Sequence, residues 1–294
     1  MKALIDADIF CYEFGNMTDL DTGDLLAWEI TRSLVDDRIN SILSAVEATS
    51  SVFYLTDSKS NFRNEVATIL PYKGHRPADK PPHWAAIRQH LIDNYDAQVQ
   101  YGIEADDACG IEQFSTAVAN GIGGEKDCWT TIICSRDKDL KMIPGWHYSW
   151  QCGKQQEKKW FVSEEDGIRF FYKQLLTGDA TDNILGLYRV GEKASCVKAL
   201  DSISDEYEMF QHVAMEYFKR FGYRSPEFIQ ENAELLWILR EPVEYEGTQT
   251  RYPAQEINDR FDEFFQALED EEEDECIRCT DSGGPLQETE DTTD

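Results

Sequence analysis

Acidic side chains form the clearest pattern in this sequence of 294 residues, because small groups of them follow short apolar runs or, in the last case, a helix pattern. The groups are Asp6 with Asp8, Asp57, Glu104 with Asp106 and Asp107, Asp137 with Asp139, and Asp179 with Asp182. Carboxylates that converge without a neighbouring Lys or His repel one another unless a hard cation such as Mg²⁺ lies between them. Convergence of these groups would make a site for divalent cations. In the alternative interpretation, half of the acids are helix caps and solubilising loop residues.

Residues 131–140 indicate how such acids are brought together. The stretch opens with apolar and β-branched residues, which are typical of a strand buried on both faces of a parallel sheet, and breaks into charge at Asp137 and Asp139. Lys138 would point away from both acids if the strand geometry continued. Because ligands of open parallel sheets bind at the carboxyl ends of the strands, acids at these ends are expected along one edge.

Alternating strand and helix patterns predict a sheet of this kind. Strands are predicted at residues 2–8, 51–56, 97–101, the apolar part of 131–140, and 146–151. Helices are predicted at residues 24–48, 82–95, 104–119 and 163–176, and the last of these ends at Gly178. This order predicts an α/β fold with a doubly wound, mainly parallel sheet.

The other segments suggest how the chain is divided. Residues 58–82 are rich in Asn, Lys, Gly and Pro and lack an apolar period, as expected for a long exposed excursion. After Gly178 the strand pattern stops, and helices are predicted at 205–221 and 226–240. We expect an α/β domain at residues 1–177, interrupted by an excursion at about 58–95. A helical subdomain at 178–268 and a disordered acidic tail at 269–294 follow.

The net charge of −29 argues against binding to a polyanion, because phosphate contacts need Lys and Arg. The tail contributes twelve acids and one Arg, so it explains only part of the acidity. Residues 59–90 form a basic island with six Lys or Arg residues against two acids. This island, which contains Arg63, Lys73 and Arg76, is where a phosphate backbone would bind.

The sequence shows no apolar leader and no stretch of roughly 18 apolar residues that would span a bilayer, so we expect a soluble cytoplasmic protein without a membrane partner. Eight Cys are scattered along the chain, and those in apolar runs are typical of a reducing compartment. Cys276 and Cys279 form a single C-x-x-C pair without the second pair or the histidines that a zinc site needs.

Several short motifs occur in an informative order: LID, YLTD, NFR, YKGHR, IEADD, SRDKDLKMIPG and LLTGDATDNILG. Across residues 2–200 they resemble the 5′-nuclease (flap endonuclease) family, above all its phage 5′→3′ exonucleases. The resemblance implies a PIN-like sheet, a helical arch formed by the excursion, and a helix–three-turn–helix subdomain that binds duplex DNA.

The resemblance also implies roles for individual residues. Asp6, Asp57, Glu104 and Asp106 would hold one Mg²⁺ or Mn²⁺. The second ion would be held by Asp137, Asp139, Asp179 and Asp182, with Asp107 assisting. Lys73 and Arg76 would contact the scissile phosphate from the arch, Tyr72 would stack on a terminal base, and Arg63 would bind DNA.

The duplex-binding region implied by the resemblance is residues 178–200, where the family often uses a K⁺ ion. This chain departs from the family pattern at Leu185, which replaces a Pro, and at Arg189, which replaces a Gly. A side chain at 189 either clashes with a nearby phosphate or donates to it, so the K⁺ site is uncertain. Arg189 and Lys193 are therefore candidate phosphate ligands.

These observations together favour a two-metal 5′→3′ exonuclease and flap endonuclease acting on DNA in phage DNA replication or recombination, with RNA in RNA–DNA hybrids as a second candidate substrate. It would be a monomer in the host cytoplasm, and a polymerase or a single-strand-binding protein is a candidate partner. One alternative is a PIN-like ribonuclease, although it would lack the arch and the duplex clamp. Another is a catalytically silent junction-binding module or a DNA mimic, although the full set of acids counts against the first and the basic island against the second.

Overall fold

The computed structural model describes residues 1–57, 59–77, 79–121, 128–241, 257 and 259–270. Its centre is a six-stranded sheet in the order β3-β2-β1-β4-β5-β6. The strands are β1 (Lys2–Asp6), β2 (Ser50–Thr56), β3 (Gln98–Gln100), β4 (Thr131–Cys134), β5 (Gly145–Ser149) and β6 (Lys158–Val162). The first five are parallel, and β6 runs antiparallel to β5.

Helices cover both faces of this sheet. They are α1 (Asp8–Glu13), α2 (Trp28–Ala45), α3 (Arg63–Val66), α4 (Trp84–Tyr95), α5 (Ala105–Ala119), α6 (Glu164–Thr177), α7 (Ser195–Ala199), α8 (Glu206–Phe221) and α9 (Ser225–Leu236). One hydrophobic core lies under α1, α2 and α4, and another joins α5, α6, α8 and α9. The predicted α/β, doubly wound and mainly parallel fold is therefore confirmed.

Three local predictions of strand and helix were wrong. The first strand ends at Asp6 instead of residue 8, and Asp8 opens α1, where an acid is favoured by the helix dipole. β6 was not among the predicted strands, because the exposed residues Lys158 and Lys159 break the apolar alternation of this segment. Strands also continue past residue 177, because β7 (Gly178–Asp179) and β8 (Ile184–Leu185) form a short antiparallel pair.

The excursion is less helical than the predicted arch. Among its described residues, only α3 and α4 are helical, and residues 67–77 and 79–83 form turns and irregular backbone. Two hydrogen bonds attach the middle of the excursion to the segment after β7. The backbone N–H of Lys73 donates to the carbonyl of Asp182 at 2.8 Å, and Asn183 Nδ2 donates to the carbonyl of Pro71 at 2.9 Å. The excursion is therefore held over the carboxyl edge of the sheet.

The C-terminal helices pack directly on the sheet-bearing part of the chain through α6. Tyr217 of α8 donates from its hydroxyl to the carbonyl of Leu175 in α6 at 2.6 Å. The proposed division at residue 177 stays a prediction. Residues 259–270 are helical, so the tail predicted to start at 269 begins inside a helix, and its remainder lies outside the described residues with Cys276 and Cys279.

Candidate active site

Asp6 ends the central strand β1 and is almost completely buried, with 7% of its surface exposed. Ser135, just past the end of β4, donates from its hydroxyl to Asp6 Oδ2 at 3.1 Å. Burial and the negative charges of Asp8 and Asp137 raise the pKa of Asp6 to about 8. A cation beside this carboxyl group would therefore favour its ionised form.

Asp8 is the first residue of α1, and the resemblance assigned it to neither metal ion. Its carboxylate accepts from the backbone N–H of Thr56 at 2.9 Å and from Arg88 Nη1 at 3.1 Å. Burial raises its pKa as well, against the opposing effect of these partners. It lines the same cleft as Asp6, so it is an additional acid of this site.

Glu104 and Asp106 reach the site from the start of α5, which follows β3. Glu104 is the N-cap residue of this helix and is 8% exposed. Burial opposes its ionisation, but the charges of Lys73 and Arg63 outweigh this effect and lower the pKa of Glu104 to about 2. For Asp106, burial and the charges of Asp107 and Glu104 raise the pKa well above its ordinary value.

Asp137 and Asp139 follow β4, which ends at Cys134. The chain then turns: the N–H of Asp137 donates to Ser135 Oγ at 3.0 Å, and the N–H of Asp139 donates to Asp137 Oδ1 at 2.9 Å. Burial and the charges of Asp137 and Asp179 raise the pKa of Asp139 to about 8. Because the strand has already ended, Lys138 does not point away as predicted, and its Nζ lies 2.9 Å from Asp179 Oδ2.

Asp179 and Asp182 come from β7 and the turn that follows it. Asp179 is 2% exposed, and its Oδ1 accepts from the N–H of Thr181 at 2.6 Å. Although burial opposes ionisation, the hydrogen bond and charge of Lys138 lower the pKa of Asp179. Asp182 accepts a hydrogen bond from the Tyr72 hydroxyl at 2.8 Å. The structure thus brings together acids from both predicted metal sets.

Lys73 and Arg76 lie above these acids, as the resemblance implies. Lys73 forms an ion pair with Glu104, and its Nζ is 3.6 Å from Asp182 Oδ2. Arg76 forms an ion pair with Asp182, and its Nε donates to the carbonyl of Thr181 at 3.3 Å. Lys73 has a φ of 53°, in the left-handed region, so the turn that presents it is strained.

Asp57 lies on the wall of the same cleft, at the end of β2. Its carboxylate is occupied by its own loop, since Oδ2 accepts from Ser60 Oγ at 2.8 Å and from the N–H of Ser60 at 3.0 Å. The Ser60 hydroxyl is the main cause of a lowered pKa for Asp57. These bonds all fall on Oδ2, so Oδ1 is the oxygen that Asp57 could offer to a metal ion without leaving this turn.

Arg63 and Asp107 lie in the interior of the protein, paired with each other. They form a buried bidentate ion pair at 2.7 and 2.9 Å, and they are 2% and 0% exposed. Arg63 also donates to the carbonyls of Leu235 at 3.0 Å and Trp237 at 2.8 Å. This burial argues against a DNA contact by Arg63, whereas the assisting role implied for Asp107 stays a prediction.

The predicted stacking residue Tyr72 is also placed differently. Its ring is 8% exposed, and its hydroxyl donates to Glu104 at 2.7 Å, so it has no free face for a base. Arg189 and Lys193, by contrast, are exposed in the turns before α7. Arg189 has a φ of 61°, and its guanidinium lies 5.1 Å from the exposed ring of Tyr188. The structure leaves these two cations accessible to a large ligand.

The acids open into a cleft of about 880 Å³. Another part of its wall carries Tyr12 and Trp84, and Lys80 Nζ lies 5.5 and 5.2 Å from the two ring centres. Sequence reasoning missed this wall. A helix predicted at residues 8–13 would have revealed Tyr12, since it lies one turn after Asp8 and on the same face.

A smaller pocket of about 20 Å³ lies next to the cleft, among Asp106, Asp137, Asp139, Asp179 and Asp182. Within the described part of the chain, no three carboxylate, His or Cys side chains already stand in an arrangement that would hold a metal ion. The basic partners Lys73, Arg76 and Lys138 occupy Glu104, Asp182 and Asp179 instead. In the same described ranges, no helix has the length and apolar character to cross a membrane.

No family model matches this sequence, and no curated protein matches it. Solved structures do share its fold. The T5 D15 protein, co-crystallised with metal ions, is 14% identical and aligns over 92% of this chain and 98% of its own, with a TM-score of 0.55. The T5 5′-exonuclease with bound zinc ions is 15% identical over 80% of this chain and 89% of its own, also with a TM-score of 0.55.

A third similar structure is a D15 flap endonuclease from bacteriophage T5, in a pseudo-enzyme–product complex with DNA and metal ions. It is 15% identical over 80% of this chain and 88% of its own, with a TM-score of 0.52. At these identities the likeness establishes a shared fold, and the chemistry has to be argued from the site itself.

Proposed function

We propose that this protein is a metal-dependent nuclease that hydrolyses phosphodiester bonds of DNA near a 5′ end, as a 5′→3′ exonuclease and flap endonuclease. One observation carries the proposal. Acids from the ends of β1 and β4, from the start of α5 and from β7 meet at one edge of the sheet, beneath Lys73 and Arg76. A phosphate-binding pair of cations beside such a density of carboxylates suits the cleavage of a phosphodiester held on metal ions.

The donor set fits hard divalent cations such as Mg²⁺ or Mn²⁺. All of the converging groups are carboxylates, and Asp6 and Asp139 are held with raised pKa values by burial and neighbouring acids. The first ion would be held by Asp6, Asp57, Glu104 and Asp106, with Asp8 close by. The second would be held by Asp137, Asp139, Asp179 and Asp182. Bound ions would supply a nucleophilic water and stabilise the leaving oxygen.

The basic partners of the acids have a second role in this proposal. Lys73 and Arg76 neutralise Glu104 and Asp182, and metal binding would release both side chains toward the cleft. A released ammonium and guanidinium would orient the scissile phosphate and stabilise its negative charge. Because the excursion is attached to Asp182 and Asn183 by its backbone, it would keep these cations near the acids.

The rest of the substrate would follow the accessible surfaces. An unpaired 5′ nucleotide would lie in the cleft against Tyr12 and Trp84, since aromatic rings bind bases of any sequence by stacking. Duplex DNA would lie on Arg189 and Lys193, with or without a K⁺ ion. Among the structural neighbours, a flap endonuclease in complex with DNA supports this class of substrate.

The wider setting is part of the same proposal. We expect a monomer that acts in phage DNA replication or recombination in the host cytoplasm. RNA in RNA–DNA hybrids is a further substrate to test, and a polymerase or single-strand-binding protein is a candidate for recruiting the enzyme.

A cleavage assay tests the function. A 5′-labelled flap substrate is incubated in Mg²⁺ with the wild type, with Asp137→Asn and with Asp37→Asn, a matched exposed acid on α2. The wild type and Asp37→Asn should release short labelled products, and chelation should stop both. Asp137→Asn should be slower by about 100-fold or more, because it removes one anionic donor from the site. Equal activity of all three proteins, or inactivity of all three in Mg²⁺, contradicts the proposal.

A further inference from the structure

Gln174 is an unusual residue in the last turns of α6. The next two positions are Leu175 and Leu176, both completely buried, and Gln174 itself is only 5% exposed. An amide in such a place is costly unless its polar atoms have partners. Gln174 lines the small pocket of about 20 Å³ together with Asp139, Asp179 and Asp182.

Only one of the two polar atoms of this amide has a hydrogen-bond partner among the described residues. Nε2 donates to Asp139 Oδ1 at 2.6 Å, whereas Oε1 is buried and has no partner among the residues that the structure describes. With Asp139 ionised, as metal binding requires, the reverse orientation would set an amide oxygen against a carboxylate oxygen, so Nε2 faces Asp139 in a metal-loaded site. The unpaired atom is therefore an oxygen of a residue that lines the pocket together with five acids, beside Arg63, Tyr72, Lys73 and four aliphatic side chains.

The pocket has the size and the chemistry for one ion. A volume of about 20 Å³ holds a single water-sized particle, which is also the size of a small cation. An amide carbonyl is an ordinary oxygen donor for Mg²⁺, Mn²⁺ or Ca²⁺, and it adds no negative charge to carboxylates that already repel one another. The buried oxygen thus lacks the kind of partner that a cation would supply.

We propose that Gln174 belongs to the second metal site, with Oε1 as a neutral oxygen donor to the cation and with Nε2 orienting Asp139. This inference rests on the proposed function, since it assumes that the acids bind divalent ions. It adds a residue from α6, outside the acidic motifs, and it gives that helix a direct role in positioning the second ion.

Metal binding without DNA tests the inference. Mn²⁺ is titrated into the metal-free full-length chain by calorimetry and by the loss of its free electron paramagnetic resonance signal. Four proteins are compared: wild type, Gln174→Met, Gln174→Glu and Gln89→Leu, an exposed glutamine on α4. Gln174→Met keeps the length of the side chain and removes both polar atoms, so the metal-free protein should unfold at or above the wild-type temperature.

We expect Gln174→Met to weaken the weaker of two Mn²⁺ sites by about tenfold or more and to leave the tighter site unchanged. Gln89→Leu should match the wild type. Gln174→Glu keeps an oxygen at the pocket and adds charge, so its weaker site should bind at least as tightly as in the wild type.

Wild-type affinity in Gln174→Met overturns the inference alone, because the metal sites would then exist without this residue. Equal weakening in Gln174→Glu and Gln174→Met also overturns it, since the whole contribution would then come from the N–H group that Asp139 accepts. If the wild type binds no Mn²⁺, the proposed function fails and the inference fails with it.

Discussion

Two ion pairs at the start of α5 show how burial separates structure from function. Arg63 and Lys73 lie ten positions apart in the excursion, and each reaches an acid in or next to the first turn of the helix, Asp107 and Glu104. The side chains of the Arg63–Asp107 pair are 2% and 0% exposed, whereas those of the Lys73–Glu104 pair are 25% and 11% exposed. The same pairing of charges therefore occurs once sealed from solvent and once facing the cleft.

The sealed pair joins distant parts of the chain. Arg63 donates to the carbonyls of Leu235 and Trp237, and the N–H of Leu239 donates to Asp107 Oδ1 at 3.0 Å. It therefore connects the base of the excursion, α5 and the segment after α9. In the open pair Glu104 also contacts Arg63 and Tyr72, but Lys73 lines the cleft, so a metal ion at Glu104 or a phosphate at Lys73 can replace the other partner. This difference explains why one pair supports the fold and why we assign the other to chemistry.

The largest effect should come from breaking the sealed pair. Arg63→Ala leaves Asp107 buried without its counter-ion, and we expect a loss of about 3–5 kcal/mol in the free energy of unfolding. Urea unfolding of the metal-free protein measures it. Lys73→Ala is the matched control for the open pair and should cost less, about 1–2 kcal/mol, because Arg63 still lies next to Glu104. Similar losses in both variants would remove the distinction between the pairs.

The next effect concerns catalysis at the open pair. Lys73→Ala should slow single-turnover cleavage by about 100-fold, equivalent to about 3 kcal/mol, because the phosphate loses a stabilising charge in the transition state. The dissociation constant for DNA should change by about threefold or less. Lys59→Ala, an exposed lysine of the same basic island, should leave the rate unchanged. If Lys73→Ala weakens binding and spares the rate, Lys73 only steers the substrate.

His147 is a third buried ionisable residue, and its burial makes the free energy of unfolding depend on pH. His147 is 2% exposed, and burial lowers its pKa from 6.5 to about 4. Between these values the unfolded chain binds a proton that the folded chain does not, so stability falls as the pH falls. From pH 7 to pH 5 this group alone should cost about 2 kcal/mol.

Urea unfolding at the two pH values measures this cost. His147→Gln, which retains a donor for the carbonyl of Ile143, should lose that part of the pH dependence. An identical pH dependence in the variant would show that His147 titrates normally in the folded protein.

The smallest effect is a change in DNA affinity caused by the acidic residues 269–294. Their negative charge should compete with DNA for the exposed cations, so deleting them should raise DNA affinity by about fivefold at low salt and less at 0.2 M salt. A chain with the twelve acids of this segment replaced by their amides separates charge from length. Unchanged affinity in both variants would rule out this competition.

The sequence predicted the surroundings of the open Lys73–Glu104 pair better than those of the sealed Arg63–Asp107 pair. Asp6, Glu104 and Asp137 lie at or shortly after the ends of the parallel strands β1, β3 and β4, so their meeting follows from the order of strands and helices. Asp179 reaches the same place from β7, outside this sheet. Predicting that acids meet at these places requires no knowledge of contacts between distant parts of the chain. The resemblance to the 5′-nuclease family predicted that Lys73 and Arg76 lie at the same edge of the sheet.

The sealed side depends on contacts that no local pattern contains. Arg63 finds Asp107 after 44 residues and the carbonyl of Leu235 after 172 residues, so its charge alone suggested an exposed basic island. Lys138 faces Asp179 because β4 ends at Cys134 and the chain turns before Lys138, so the alternation of a strand does not apply to it. Both errors came from extending a local rule past the point where tertiary packing decides.

A crystal soaked in Mn²⁺, with anomalous scattering to locate the metal, is the decisive test of whether the converging acids hold two divalent ions. We expect two Mn²⁺ peaks, one beside Asp6 and Glu104 and one beside Asp139 and Asp179. Lys73 should have moved away from Glu104, and the Arg63–Asp107 pair should be unchanged. No peak at these acids, or Mn²⁺ bound with the Lys73–Glu104 pair intact, would contradict this expectation.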